Sequence, residues 1–142
     1  MDRLESVILF LIDQTSKTAK RFTQRELDKK GWDITIDQWV LLKIVEESNG
    51  LSQNELAEKS SRDGASITRS LDILEKKHYL ERKATPEDRR QYKISLTPEG
   101  QAFIAKNMSL VNKHRAKSLE GFSSEEIKSL KEMLLRIQKN MS

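Results

Sequence analysis

Small and polar side chains that can contact nucleic acid are concentrated between residues 62 and 70. Asp63 can accept a hydrogen bond from a backbone amide in the turn that follows, so we expect a helix to begin there. Apolar residues at helical spacing would bury one face of this helix, and they are Ile67, Leu71 and Leu74. The opposite face would offer hydrogen-bond donors to base edges and phosphates in a DNA major groove. The expected DNA-contacting residues here are Arg62, Asp63, Gly64, Ala65, Ser66, Thr68, Arg69 and Ser70.

A helix-turn-helix is the element that would position these side chains. Ser52 and Glu55 have capping-box spacing, which predicts a short helix that ends near Lys59. Polar residues 60–62 then link this helix to the second one. In such a pair, the second helix enters the major groove with its N-terminal end nearest the bases.

A two-stranded wing is predicted directly after the second helix. Residues 79–83 and 91–96 have the composition or alternation of strands, and turn-forming residues lie between them. The tip region of this wing, residues 82–93, carries five basic residues and two acidic ones, a charge of +3 and most of the chain's net +4. An arginine at a hairpin tip suits the narrow, electronegative minor groove, so Arg89 and Arg90 are expected to contact DNA.

Predicted helices outside this region carry wider apolar stripes than a lone surface helix needs. The segment from Asp2 to about Lys29 has helical periodicity, with extra apolar residues near its start. Further helices are predicted at about 35–47, 98–118 and 123–140 from caps, breakers and apolar spacing. We interpret the excess apolar surface as a contact with a second subunit, with burial in an ordinary core as the alternative.

The chain is predicted to form one domain, residues 1–142, of mainly α class with a small β wing. A winged helix-turn-helix DNA-binding lobe would occupy about residues 35–97. A helical dimerisation region would be built from about residues 2–29 and 98–140.

The composition excludes several classes of site. The chain has no cysteine, so disulfides, thiolate redox sensing and cysteine-based zinc sites are excluded. Its two histidines, His78 and His114, fall in different predicted elements without a third ligand at metal spacing. The sequence carries no catalytic motif, so we expect no enzymatic activity, no cofactor and no metal. The longest apolar run, residues 7–12, is too short to span a bilayer, so we expect a cytoplasmic protein without a membrane partner.

The run from Leu51 to Gly100 resembles the MarR family of winged-helix transcription regulators. The matching stretches are LSQNELAEKS, ASITRSLDILEKK and DRRQYKISLTPEG. The last stretch fills the wing signature of the family with Asp88, Arg89, Arg90, Leu96, Thr97 and Gly100. One departure is His78, which stands where the family usually has a glycine between the recognition helix and the first wing strand. If that position requires a positive φ, histidine is strained there relative to glycine.

The resemblance implies roles for further residues. In the wing, Asp88 would orient Arg90 toward the minor groove. Apart from the resemblance, we expect Arg82 to brace the wing by pairing with Asp88 or Glu87. The family forms two-fold dimers through the N-terminal helix and the last two helices. Many members bind an aromatic or phenolic acid in a crevice between the dimerisation helices and the DNA-binding lobe. The residues expected to border such an effector pocket are Phe22, Trp39 and Phe103, with Arg21 as the carboxylate partner.

We therefore predict a homodimeric, sequence-specific transcriptional regulator that binds a pseudo-palindromic site in double-stranded DNA, most simply as a ligand-responsive repressor. A signal would change the spacing of the two lobes, so that they no longer match half-sites about one helical turn apart. Two alternatives are an architectural DNA-binding protein without an effector and a winged-helix protein-interaction module. A large preference for a specific site over random DNA would distinguish the regulator from the architectural protein. A steep loss of affinity with salt would distinguish it from the protein-interaction module.

Overall fold

The computed structural model describes residues 3–48, 50–85 and 92–142. In these residues the chain is mainly helical with one small antiparallel sheet, which confirms the predicted fold class. A short 3₁₀ helix, Leu4–Ser6, comes first. The elements that follow are α1 (Ile8–Lys29), α2 (Ile36–Glu47), β1 (Leu51–Ser52), α3 (Gln53–Ser60), α4 (Gly64–Lys76), β2 (Leu80–Ala84), β3 (Tyr92–Leu96), α5 (Pro98–Ser118) and α6 (Ser124–Met141).

Three of the helices begin with capping boxes at the positions that the sequence predicts. In each box, the side chain of a serine or threonine cap accepts from the backbone amide of the residue three positions later. The side chain of that later residue in turn accepts from the backbone amide of the cap. These bonds satisfy backbone amides that a helix start leaves without partners, so they determine where each helix begins. The pairs are Thr35 with Gln38, Ser52 with Glu55, and Ser123 with Glu126.

The beginning of the chain differs from the prediction of one continuous helix from Asp2 to about Lys29. Val7 has an extended backbone, with φ −77° and ψ 123°, and it separates the 3₁₀ turn from α1. Ser6 explains the break, because its hydroxyl donates to the Arg3 carbonyl at 2.7 Å and closes a tight local turn. The periodicity of the apolar residues predicts the helix but not this competing bond.

The chain divides into two compact units, Met1–Met108 and Ser109–Ser142. In the first unit, helices α2 to α4 and the sheet share a core of fully or almost fully buried side chains. The stripe predicted for α4 lies in this core, as does Leu41 of α2, whereas Val40 beside it is 42% exposed. The core side chains include Trp39, Leu41, Leu42, Val45, Leu56, Ile67, Leu71, Leu74, Leu80 and Ile94.

The sheet has three strands in the order β1-β3-β2, one more than the predicted two-stranded wing. The added strand is β1, in which Leu51 pairs with Ile94 and Ser52 pairs with Lys93 of β3. Leu51 stands directly before the cap of α3, and its backbone completes the sheet. The sheet therefore joins the helix-turn-helix to the wing through main-chain hydrogen bonds.

A close contact between the start of β2 and the start of α5 explains the Leu-Thr-x-x-Gly part of the wing signature. The Thr97 amide donates to the Tyr79 carbonyl at 3.2 Å, and the Thr97 hydroxyl donates to the His78 carbonyl. The same hydroxyl accepts from the Gly100 amide at 3.0 Å and so caps α5. A Cβ at Gly100 would lie 2.0 Å from the Tyr79 carbonyl oxygen, so a glycine is required where the two backbones meet.

Replacing His78 by glycine is expected to stabilise the folded protein. Its φ is 64°, the left-handed conformation that costs an L-residue about 1–2 kcal/mol. Glycine removes this strain but gains freedom in the unfolded chain, so His78→Gly should raise the free energy of unfolding by about 0.5–1 kcal/mol. Urea unfolding monitored by circular dichroism measures the change. His78→Ala is the control, because it keeps the Cβ and should give no gain; equal stabilisation by both variants would contradict the strain.

Candidate nucleic-acid interface

Helix α4 presents a small polar surface at its N-terminal end. Asp63 caps the helix by accepting from the Ser66 amide at 2.8 Å, and this bond holds the pKa of Asp63 below its usual range. The cap therefore stays ionised at neutral pH and complements the positive end of the helix dipole. One continuous stripe of α4 is exposed, formed by Gly64, Ala65, Thr68, Arg69, Asp72, Ile73 and Lys76.

Arg62 lies against the side of α4 rather than in solvent. Its Nη2 donates to the Ser66 hydroxyl and to the Ser70 hydroxyl, the second at 3.3 Å. The placement of Ser70 on the exposed face is wrong, because this residue is only 6% exposed. A helical projection cannot show this, since the arginine that covers Ser70 comes from the preceding turn. The other terminal nitrogen of Arg62, Nη1, is buried and has no hydrogen-bond partner among the described residues.

Gln53 is a residue of this surface that the sequence does not single out. It begins α3, and its Nε2 donates to the Thr68 hydroxyl on α4 at 2.6 Å. Thr68 in turn donates to the Gly64 carbonyl at 2.9 Å. The two residues lie 15 positions apart, so no local pattern in the sequence predicts their contact.

Arg69 differs from Arg62 and Gln53, whose side chains are held by hydrogen bonds within the protein. It is exposed on the α4 stripe and makes no hydrogen bond or ion pair with any part of the chain that the structure describes. Its guanidinium is therefore available to a ligand without first breaking a described contact, and five N–H donors suit phosphate oxygens or the acceptor edge of guanine.

Arg82 connects the first wing strand to α4. Its Nη2 lies 2.7 Å from Asp72 and 3.0 Å from Glu75, and its backbone amide donates to Glu75 at 3.2 Å. The side-chain bond from Arg82 lowers the pKa of Glu75, and the same bond raises the pKa of Arg82. The sequence predicts a bracing role but does not identify these two partners. Asp88, Arg89 and Arg90, with Glu87, lie outside the described residues.

These elements are the parts of a winged helix-turn-helix: a supporting helix, an exposed second helix, and a wing bound to it. Residues 34–92 match the family model described as "MarR family". The segment of residues 34–92 is a MarR-family domain. The match begins just before the cap of α2 and ends at the first residue of β3, so it contains the whole α3–α4 pair.

Solved structures support the MarR assignment over most of the chain. A probable transcriptional regulator from Pseudomonas aeruginosa is 26% identical, with a TM-score of 0.83 over 95% of this chain and 99% of that chain. A mutant of E. coli MarR, solved in complex with operator DNA, is 25% identical, with a TM-score of 0.84 over 96% of this chain and 99% of that chain. Bordetella bronchiseptica BpsR, at 17% identity and a TM-score of 0.87, covers 97% of both chains and shows the shared fold alone.

The side chains of four residues form an aromatic cluster: Trp32, Trp39, Tyr79 and Phe103. Trp32 stands 5.2 Å from Trp39 and 5.2 Å from Phe103 between ring centroids, and Tyr79 packs on Phe103 at 4.8 Å. The indole N–H groups of both tryptophans are buried without a hydrogen-bond partner among the described residues. Tyr79 donates to Asp33 at 3.1 Å, and burial together with this carboxylate raises the pKa of Tyr79 to about 12.

Two of the four expected effector residues lie in this aromatic cluster. Trp39 and Phe103 share the aromatic cluster, with ring centroids 6.1 Å apart. Arg21 and Phe22 line a hollow of about 570 Å³ along α1, with Thr18, Gln24, Arg25 and Asp28. The sequence periodicity of α1 does not distinguish these two locations. The described residues contain no cluster of His, Asp and Glu suited to a metal, and none of their helices is long and apolar enough to cross a bilayer.

The Arg82 contacts predict a pH-dependent contribution to the stability of this MarR-type wing. Glu75 has a lowered pKa in the folded state, so its pairing stabilises the fold above the unfolded pKa of about 4.3 and is lost as the pH falls. Arg82→Met keeps most of the aliphatic stem and should lower the free energy of unfolding by about 1 kcal/mol at pH 7, since both carboxylates are partly exposed.

Urea unfolding of wild type and Arg82→Met at pH 7, 5 and 3.5 measures this contribution. The difference between them should shrink at the lowest pH. In a Glu75→Gln background, the Arg82→Met substitution should cost less at pH 7. A difference that is equal at all three pH values would show that Arg82 acts by packing rather than by charge.

Proposed function

We propose that this protein is a sequence-specific regulator of transcription that binds double-stranded DNA through α4 and the wing. The observation that carries the proposal is the exposed stripe of α4, which combines an unpaired Arg69 with small residues at its N-terminal end. Small side chains allow a backbone to approach another molecule closely, and N-terminal residues of a recognition helix are those nearest the base edges. The E. coli MarR variant bound to operator DNA has the same fold and supports this assignment.

The contacts divide the proposed DNA-binding residues by role. We assign base-edge or phosphate contacts to Gly64, Ala65, Ser66, Thr68 and Arg69, which lie at or beside the exposed face. Asp63 acts as the cap, and Arg62 orients Ser66 by donating to its hydroxyl as well as to the hydroxyl of Ser70. Arg89 and Arg90 are proposed to contact DNA from the wing because of the positive charge of its tip region and the family signature, and the signature also suggests that Asp88 orients Arg90.

We propose that the protein acts as a homodimer. The N-terminal segment exposes Leu4 at 60%, Ile8 at 59% and Leu9 at 54%, and α6 exposes Met133 at 56% and Leu135 at 62%. Apolar surface of this extent on terminal helices is typical of a subunit interface. Two copies would place two α4 helices on a pseudo-palindromic site, with the lobe at about 35–97 and the dimerisation helices on either side of it in sequence. A stable monomer in sedimentation at micromolar concentration would contradict the dimer.

A small aromatic or phenolic acid is the proposed effector, and repression relieved by it is the proposed mode of action. The aromatic cluster supports this, because two buried indole N–H groups without described partners could donate to the carboxylate of such a ligand. For the ligand to control DNA binding, it must bind more tightly to the dimer with one spacing of the lobes than to the dimer with the other. Quenching of tryptophan fluorescence by hydroxybenzoates, with parallel loss of DNA binding, tests the proposal. Quenching without any loss of DNA binding would argue against an effector role.

Gly64→Ala is the variant that tests DNA binding most directly. A Cβ built at Gly64 meets no atom within 4 Å, so the variant should fold with a stability close to that of wild type. If the start of α4 approaches DNA closely, the added methyl should weaken cognate binding at least about fivefold, since an overpacked contact costs about 1–3 kcal/mol. Binding isotherms use a duplex that the wild-type chain has selected from a random library, together with a random duplex.

The same isotherms, repeated at several salt concentrations, separate the alternative functions. A regulator should lose affinity steeply with salt and should keep a large preference for the selected duplex over random DNA. An architectural protein would show the salt dependence without the preference. A protein-interaction module would show neither, and the proposed function would then be wrong.

A further inference from the structure

Gln53 and Thr68 form a linked pair at the edge of the exposed stripe of α4. Gln53 contributes Nε2 from the first residue of α3, 2.6 Å from the Thr68 hydroxyl oxygen. Thr68 is exposed, and its hydroxyl donates its one proton to the Gly64 carbonyl at 2.9 Å. A hydroxyl that has given its proton to a carbonyl must accept from its other neighbour. The bond therefore runs from the amide of Gln53 to the oxygen of Thr68.

This network determines which groups the pair presents outward. Because Nε2 of Gln53 is directed at Thr68, its Oε1 must be directed away, and the amide orientation follows from the hydrogen bonds. Gln53 keeps one N–H donor and one carbonyl acceptor for another molecule. The hydroxyl of Thr68 is turned back toward its own helix, so the methyl group is the part of this side chain without polar partners.

These outward groups match one kind of base pair. An adjacent acceptor and donor on a glutamine fit N6 and N7 of adenine, and a threonine methyl fits the 5-methyl group of thymine. An A·T pair displays all of these on its major-groove edge. Guanine offers two acceptors at the equivalent positions, so the Oε1 atom of Gln53 would face an acceptor and remain unsatisfied.

We propose that Gln53 and Thr68 act as one reading unit for an A·T pair in the major groove, which makes Gln53 a specificity-determining residue supplied by α3. The inference rests on the proposed function, because it requires α4 to enter the groove. It adds a second helix to the reading surface and names the base pair that this helix recognises. Arg69 lies on the same stripe as Thr68 and would read a neighbouring position independently.

Single-position changes in the selected duplex test the proposal. Each A·T pair is changed to G·C, and separately each thymine is replaced by deoxyuridine, which lacks the 5-methyl group. At one pair in each half-site, wild type should lose about tenfold on the G·C change. At that pair it should also lose about fourfold on the uridine change, the value of one buried methyl group.

The variants assign these losses to the two side chains. Gln53→Ala should abolish the preference for A·T over G·C at that pair, and Gln53→Glu, which cannot donate to Thr68, should reduce it as well. Thr68→Ser should abolish the thymine-over-uridine difference, while Thr68→Val should keep it. Asn54→Ala is the matched control, because Asn54 is exposed one position along the same helix turn and should leave every base preference unchanged.

The outcomes separate this proposal from the proposed function. If wild type prefers its selected duplex and Gln53→Ala and Gln53→Glu retain every base preference while binding uniformly less tightly, the pair only fastens α3 to α4 and the proposal is overturned. If wild type shows no preference for any duplex, the proposed function fails first and this proposal fails with it. Thermal melts of each variant confirm that a changed preference is not a change in folding.

Discussion

Gly100→Ala is expected to lower the free energy of unfolding by about 3 kcal/mol. The new Cβ would stand 2.0 Å from the Tyr79 carbonyl oxygen and 2.9 Å from its carbonyl carbon. Neither atom can rotate away, since both belong to the backbone. Relief therefore requires α5 to move from the start of β2, which breaks the bonds from Thr97 to His78 and Tyr79.

Urea unfolding of Gly100→Ala and Gly64→Ala measures this effect against a matched control. Both substitutions add one methyl group at the start of a helix, but the methyl group at Gly64 meets no atom within 4 Å. Gly64→Ala should change stability by no more than about 0.5 kcal/mol. Equal stability of the two variants would show that the β2–α5 junction is more open than the structure has it.

Arg69→Ala is expected to cost about 1–3 kcal/mol of binding free energy on the selected duplex and much less on random DNA. The arginine is exposed and makes no hydrogen bond or ion pair with the described residues, although its charge acts on Asp63, so its removal should leave the fold intact. A base-edge contact contributes only where the correct base is present, which is why the loss should fall on specificity. The ratio of the two dissociation constants measures it.

Lys76→Ala is the control for charge alone. It removes one positive charge from the same exposed stripe, at the opposite end of α4 from the proposed contact. Lys76→Ala should weaken binding to both duplexes by a similar, smaller factor, mainly through the salt-dependent part of the affinity. If Arg69→Ala weakens both duplexes equally as well, Arg69 contacts the phosphate backbone and base reading by this residue is excluded.

Local rules explain why the helix starts could be predicted from the sequence. A capping box needs only residues three positions apart, and the boxes at Thr35, Ser52 and Ser123 form as expected. The buried stripe of α4 follows from helical spacing, and the αL strain expected at His78 is present with φ 64°. At Val7, one side-chain bond from Ser6 overrides the periodicity, which averages over many residues.

Contacts between distant residues could not be predicted in the same way. Ser70 is polar and lies near the predicted DNA-binding face, but Arg62 covers it from outside the helix. The bonds from Gln53 to Thr68 and from Arg82 to Glu75 depend on how two elements pack together. The spacing of residues within one element does not predict that packing. For this reason the position and the buried stripe of α4 could be predicted from the sequence, while the side chains that orient its exposed face required the structure.

The ion pairs from Arg82 to Asp72 and Glu75 also determine which segment of this protein can be exchanged with that of a relative. A recognition helix exchanged alone with a relative lacking those carboxylates would leave the guanidinium of Arg82, whose side chain is 21% exposed, without its two partners. A cassette of residues 53–84 would carry Gln53, both acidic residues and Arg82 together. Designers who wish to redirect binding to a new operator should therefore treat α3, α4 and β2 as one exchangeable part.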